Sequence, residues 1–425
     1  MDQSPLPKRL KLEDSQEVDT EDLSFLDDID IDEIADCLKK CNETSNQKTS
    51  IKSHHSTSTI KKNGDCKSCP KDDKNLLYKL EKKLFVFFHE HYVASIIHYG
   101  KNSTIIKCKQ GAWNKYAVKI LKDEEQQYFG KAKQEMLLQM QMNIPKENLF
   151  SIYFSEGFSL EKRWCFLMEF YPKTLSQALQ ECRRGVQEWK PFHINKVQEL
   201  ARQLVAAVTV LKYNDIVHSD INPSHILLDS SNEKLRLCGF DDAYYIGAGK
   251  TSSNQRTLNY RAPEVIVGYS SGFSIDVWST AIVLVEMATG LVTFPGYTNN
   301  DILFRQMSML GRIPNEMLEK STHRSQYFHG FMFKRKIGSE IKYIKNNFYE
   351  TNKLAKMVYD AQTYHYLKYY KQTNQIGRDM KGNKKFLKKV DSFIDLIMHM
   401  VVIVPEDRSS IDIVYSDPFI YEMFD

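Results

Sequence analysis

Between residues 103 and 121 the chain reads STIIKCKQGAWNKYAVKIL, with apolar and polar positions alternating on both sides of a glycine. That pattern predicts two β-strands joined by a turn. EEQQYFGKAKQEMLLQMQM, at 124–142, carries its apolar residues at a helical period, and RWCFLMEFY, at 163–171, is a short apolar run of strand type. INKVQELARQLVAAVTVLKYN, at 194–214, predicts a long amphipathic helix. Strands thus come first and helices follow, with no internal repeat. TAIVLVEMATGLV is apolar but too short to span a membrane and carries Glu286, so it reads as a buried helix.

Residues 1–75 differ from the rest. They are rich in Ser, Thr, Asp, Lys and Asn and poor in aromatics, so they are expected to be a disordered tail. PLPKRLKLED, at 5–14, has the form of a short basic nuclear-import signal. Residues 13–36 contain twelve Asp or Glu and no Lys or Arg. Within and just beyond them Leu23, Leu26, Ile29 or Asp30, Ile34 and Leu38 fall at roughly helical intervals. Such a segment either folds on a partner or stays solvated. Cys37, Cys41, Cys66 and Cys69 make C-x3-C and C-x2-C pairs, the ligand type of a zinc site. The loop between the pairs lacks the aromatics of a folded finger, which favours unpaired thiols.

Composition narrows the picture. Hydrophobic residues make up 42% and aromatics 12%, enough for a sizeable core, and a net charge of +4 does not by itself imply nucleic-acid binding. Eight cysteines without a regular framework point to a reducing compartment. No apolar run reaches 18 residues, so no membrane partner is expected.

The candidate chemistry lies in VHSDINPSHILLDSSNEKLRLCGFDDAYYIG, residues 217–247. His218-Ser219-Asp220 precedes an apolar ILL strand, the tight hairpin DSSNEK follows, and then LRLCGFDD. Further landmarks fall in order: YAVKIL with Lys119, MEFYPKTL, YRAPEVIVG, SIDVWSTAIVLVEMATG and VPEDRSS. Together they resemble the eukaryotic protein kinases over about residues 80–421. YRAPEVIVGYS, FPGYTNNDILFRQMSMLGRIPNEML and a long insert before Asp391 resemble the CMGC group, and within it the pre-mRNA-splicing kinase branch. The resemblance implies an α+β, two-lobed protein-kinase-like fold. Its small β-rich lobe, with one helix, would run from about 80 to 168, and its large helical lobe from about 169 to 421. It also implies a nuclear setting, with the cytoplasm open as well.

Phosphoryl transfer requires positioning and charge cancellation rather than covalent chemistry from the protein. By resemblance, Lys119 holds the α- and β-phosphates, with Glu135 as its helix partner. Glu169 to Tyr171 form the nucleotide hinge behind Met168, and Asp220 accepts the substrate proton. A carboxylate at 220 can equally be kept to hydrogen-bond the loop backbone. Other family positions are altered. Asn222 replaces a lysine and His225 replaces a magnesium-binding asparagine, although magnesium prefers oxygen ligands. Gly239-Phe240-Asp241 stands where the family has Asp-Phe-Gly, so the main metal carboxylate is absent. Asp241 or Asp242 would have to reach back by a shifted loop to replace it. The phosphate-covering loop keeps Gly100 alone, with His98 and Ser103 where glycines sit in the family.

The scaffold residues survive better than the site. By resemblance, Glu264 and Arg408 form a buried ion pair, and Asp276, with Trp278 nearby, binds the catalytic-loop backbone. His218 and Phe240 stack between the lobes, and Tyr260 and Arg261 keep the substrate-loop form. The sequence therefore favours a pseudokinase acting as a nuclear binding or allosteric scaffold, near RNA processing or gene expression. Its rivals are a divergent Ser/Thr kinase using Lys119, Glu135, Asp220 and Asp241, and an ATP-binding regulator without hydrolysis. ATP is left open as a cofactor, and the substitutions argue against Mg2+. Residues 331–390 hold fifteen Lys or Arg against four Asp or Glu, with Tyr343, Phe348, Tyr359, Tyr364, Tyr366, Tyr369 and Tyr370 among them. Such a surface suits RNA, an acidic protein, or this chain's own residues 13–36; the plain alternative is a solvated insert with its aromatics packed inside.

Overall fold

A computed structural model describes residues 71–89, 92–99, 103–122, 136, 150–184, 191–247, 257–269, 272–349, 351–373 and 380–422. The basic and acidic segments of the tail, Cys37, Cys41, Cys66, Cys69, Gly100, Glu135 and the 248–256 stretch lie outside them. So does all of the 124–142 segment except Met136, which is helical.

The chain enters through helix α1 (Lys71–Phe88), which begins inside the stretch read as tail. Leu76, Leu80 and Leu84, four residues apart, form one stripe that is 8%, 0% and 0% exposed. This stripe packs on the small sheet, and the Glu81 carboxylate accepts the Ala94 N–H at 2.7 Å.

Strands β1 (Val93–Tyr99), β2 (Ser103–Gln110), β3 (Trp113–Leu121), β4 (Phe154–Leu160) and β5 (Arg163–Glu169) form an antiparallel sheet in the order β1-β2-β3-β5-β4. The alternation in 103–121 becomes two faces, with Ile106, Cys108, Val118 and Ile120 in the small-lobe core. Because Val118 and Ile120 point into that core, Lys119 points the other way. His98 and Ser103 are strand residues, in β1 and β2. Burial pushes the Cys108 and Cys165 thiols up to about 12. Since the thiolate is the reactive form, iodoacetamide at about pH 8 should leave both unlabelled until the chain is unfolded. Labelling of either in the folded protein, read by mass spectrometry, would contradict this packing.

The second lobe follows β6 (Lys173–Thr174) and α2 (Leu175–Arg184). Helix α3 (Ile194–Tyr213) buries Val197, Leu200, Ala201, Leu204, Val205, Val208 and Leu211. After β7 (Ile216–Val217), strands β8 (Ile226–Leu228) and β9 (Leu235–Leu237) pair with β6 in the order β6-β8-β9, and β10 (Tyr244–Tyr245) pairs with β7. These short ladders bracket the 218–225 and 238–243 loops. Helix α4 (Pro263–Val267) precedes α5 (Ser274–Thr289), which is buried along nearly all its length. Helix α6 (Asn299–Leu310) opens with a capping box between Thr298 and Asp301.

The basic insert is ordered into β11 (Phe328–His329), β12 (Met332–Ile337), β13 (Glu340–Lys345), α7 (Lys353–Thr373) and α8 (Met380–Met400). Part of its aromatic content is structural. The Tyr366 and Phe386 rings stack at 4.1 Å, and Phe348, Tyr359 and Tyr366 pack on the large core. Tyr343 is 53% exposed. The architecture is mixed α+β, a strand-rich lobe followed by a helical one. Among the described residues no helix is long and apolar enough to cross a membrane.

Candidate active site

Lys119 and Asp241 meet across the two lobes, with Nζ 2.6 Å and 2.5 Å from the two carboxylate oxygens. The Lys119 side chain is 15% exposed and that of Asp241 51%. Gly239 takes φ 83° and ψ 43°, and Phe240–Asp242 close a single 3-10 turn behind it. This turn, rather than an extended shift, carries Asp241 onto the lysine. The sequence reading weighed Asp241 as a replacement metal ligand, and here its carboxylate is bound to Lys119.

Asp220 is buried, and one of its carboxylate oxygens accepts the Thr257 backbone N–H at 2.7 Å. The other lies 3.3 Å from His225 Nδ1, which is also 2.9 Å from the Asp220 carbonyl. Asn222 Nδ2 donates to the Asp220 carbonyl at 3.0 Å and to Thr257 Oγ1 at 3.0 Å, while Asn222 Oδ1 accepts the Ser224 N–H at 2.9 Å. Asp220 is thus tied to the loops around it. Thr257 was not legible as a site residue, because its contact depends on two loops 37 positions apart.

His225 also determines what position 239 can hold. A Cβ built on Gly239 would stand 2.4 Å from His225 Cγ and 2.5 Å from Cδ2. The positive φ there already favours glycine. The imidazole therefore fills the space a side chain at 239 requires. Two separate departures in the sequence prove to be one packing arrangement.

The pattern of the protein kinase domain matches residues 93–420, well over half of the chain. The chain belongs to the protein kinase domain family. Its kinase domain is 28% identical over 261 residues to the serine/threonine-protein kinase prpf4B of Dictyostelium discoideum, covering 60% of this chain and 31% of that protein. It is 28% identical over 240 residues to the serine/threonine-protein kinase prp4 of Schizosaccharomyces pombe, covering 56% and 50%. It is 29% identical over 245 residues to human cyclin-dependent kinase-like 5, covering 57% and 24%. The chain therefore spans half or less of these relatives' length.

Protein kinase domains in general use ATP with Mg2+. The residues of this kinase domain do not fit the metal in the family's manner. Position 239 offers no side-chain oxygen, an imidazole occupies its side-chain space, and the Asp241 carboxylate is held by Lys119. Among the described residues no group of three or more His, Cys, Asp or Glu is placed to hold a metal ion. Of the residues that the resemblance assigns to the nucleotide, Lys119, Met168, Glu169 and Tyr171 lie among the described residues. Glu169 ends β5 and lies 3.8 Å from Arg236, and Met168 and Tyr171 pack against the large-lobe core. Burial pushes the Tyr171 hydroxyl up to about 12. Lys119 fits a phosphate only by leaving Asp241.

Around this cleft the scaffold of the kinase domain is intact. Asp276 accepts the His218 and Ser219 N–H groups at 2.7 Å and 2.9 Å. Ser219 sits at φ 67°, a left-handed conformation that costs a non-glycine residue on the order of 1–3 kcal/mol. Those bonds, with its hydroxyl donating to the Asp242 carbonyl at 2.8 Å, hold it there. The His218 and Phe240 rings touch at 4.9 Å, and His218 Nε2 is 2.9 Å from the Cys238 carbonyl. Arg408 and Glu264 form a bidentate pair at 2.7 Å and 3.0 Å, both side chains 0% exposed. Arg261 donates to Asn299 Oδ1 at 2.5 Å. Tyr260 donates its hydroxyl to Glu286, which also accepts from Arg183 Nη2 at 2.5 Å. The sequence reading took Glu286 as an ordinary residue of a buried helix. In the fold it anchors the segment that carries Tyr260.

Proposed function

We propose that this kinase domain is catalytically silent and acts as a binding or allosteric scaffold. The observation that carries the reading is the interlock at Gly239 and His225, which removes the metal carboxylate and fills its place. A triphosphate in the cleft would keep charge that magnesium neutralises in an active kinase. Losing one such stabiliser costs about 10²–10³ in rate, and here Asn222, His225 and Gly239 all depart from the family. The preserved ion pair, loop anchor and ring contact serve shape rather than turnover. The resemblance to the splicing-kinase branch and the basic segment at 5–14 support a nuclear setting near RNA processing or gene expression. Nuclear proteins with acidic surfaces suit the basic insert as partners.

The rival is a divergent Ser/Thr kinase, and Asp241 favours it, because a carboxylate does stand in the cleft beside Lys119. Titration with ATP, with and without Mg2+, followed by thermal shift and phosphate transfer, separates the two. The scaffold reading expects no magnesium-dependent gain and no transfer. It also expects Asp241→Asn, which removes the internal anion from Lys119, to tighten metal-free ATP binding about tenfold, or about 1.4 kcal/mol. Magnesium-dependent binding, with transfer abolished by Asp220→Ala, would establish the enzyme instead.

A further inference from the structure

The β12–β13 hairpin of the basic insert has two unlike faces. Its register sets Met332 opposite Lys345, Lys334 opposite Tyr343 and Lys336 opposite Ile341, and β11 brings His329 opposite Met332. Residues paired across an antiparallel ladder share a face. On the opposite face Phe333 is buried, Ile344 packs on the core, and Arg335 binds Asp301 at 2.9 Å. The outer face is therefore a small sheet surface carrying two rings and three lysines among apolar side chains. On it Tyr343 and Ile341 are 53% and 48% exposed. The Tyr343 and His329 rings lie 5.8 Å apart at 67°, an edge-to-face pair rather than a closed stack. No carboxylate stands among the lysines. Glu340, the one acidic residue of 328–345, pairs with Ile337 and so belongs to the face of Phe333 and Arg335. Lys334 donates to the Ser325 carbonyl at 2.7 Å, a neutral acceptor that leaves its charge uncompensated. Lys336 and Lys345 are exposed, and neither has an ion-pair partner among the described residues.

Unpaired lysines suit any anion, and the exposed rings narrow the choice. A nucleobase has a π-face to lay on a ring, whereas a carboxylate side chain has none. In a duplex the bases are already paired and stacked, so a single strand is the form that can present them. Lys345, opposite Met332, and Lys336 mark the two ends of the face, four residues apart along β12, or about 13 Å at about 3.3 Å per residue. That length suits the two or three bases that a sheet face stacks. We propose that the outer face of this hairpin binds single-stranded nucleic acid, with bases on Tyr343 and His329 and phosphates on Lys334, Lys336 and Lys345. The proposal concerns this hairpin and not the rest of the basic insert. It does not depend on whether the cleft is silent, and its failure would leave the proposed function standing.

Fluorescence anisotropy of the full chain with a labelled oligouridylate of about 12 nucleotides tests it. Affinity should fall with salt at a log–log slope of about −2 between about 50 and about 200 mM, as three phosphate contacts on a single strand predict. Lys336→Gln with Lys345→Gln should reduce that slope to about −0.7. Tyr343→Leu should weaken binding about tenfold and leave the slope unchanged, and Tyr343→Phe should bind as the unmodified protein does. These side chains are exposed, so each variant should unfold at the unmodified temperature. An RNA duplex of the same length should compete poorly. Equal affinity for oligothymidylate would assign the face to single strands of either sugar, and a preference for oligouridylate would assign it to RNA; both uphold the proposal. No binding at about 100 μM protein, the weak end of non-specific affinity, would overturn it. So would binding indifferent to Tyr343→Leu. Displacement by polyglutamate as effective as by unlabelled oligouridylate would also overturn it, by marking the face as a surface for acidic protein.

Discussion

Arg408→Ala is expected to cost about 3–5 kcal/mol of folding stability and to lower Tm by on the order of 10 °C. Arg408 does more than neutralise Glu264. Its guanidinium also donates to the Ser274 carbonyl at 2.7 Å and to the Val402 carbonyl at 3.0 Å and 2.9 Å, and it lies 5.0 Å from the Trp278 ring centre. Alanine leaves the Glu264 carboxylate charged, at 0% exposure and without its partner. The controlling comparison is Glu264→Gln with Arg408→Met. That double variant removes both charges, so its loss should be smaller than that of Arg408→Ala alone. Chemical denaturation of the unmodified protein and the two variants reads both losses. A loss below about 1 kcal/mol for Arg408→Ala would mean that the pair behaves like a surface bridge and that its burial counts for little.

Gly239→Asp, the substitution that returns the family's metal carboxylate, should destabilise the protein rather than activate it. Forcing a side chain against the His225 ring has the character of overpacking, at about 1–3 kcal/mol. The left-handed backbone adds about 1–2 kcal/mol. His225→Ala with Gly239→Asp deletes the contacting Cγ, Cδ2 and Nδ1, removing the first cost and leaving the second, so the double variant should recover much of the lost stability. It should also gain a magnesium-dependent thermal shift with ATP that neither single variant has. Equal stability of the single and double variants would show that the imidazole does not block position 239. A magnesium shift in the unmodified protein would show that the metal is held by other residues.

These effects were unevenly legible. Alternation in 103–121 and the helical period in 194–214 sufficed for β2, β3 and α3, because each depends on neighbours within a few residues. Ordered landmarks were enough to place His218, Asp276, Glu264 and Arg408, and the fold brings each pair together. Only the first turn of helix α1, Lys71–Asn75, was read as tail, because it is polar and charged and the leucine stripe begins after it at Leu76. The sequence left open whether the aromatics of the basic insert face a partner or pack inside, and Phe348, Tyr359 and Tyr366 pack against the core.

By itself the sequence determined the class of fold and the absence of a side-chain oxygen at position 239, since both follow from residue identity and local period. Only the tertiary structure decided what fills the vacancy and where Asp241 goes. The His225 ring reaches position 239 from a loop 14 residues earlier, and Lys119 meets a carboxylate 122 residues away. No local pattern encodes either contact, because each is set by how the two lobes and their loops pack against one another.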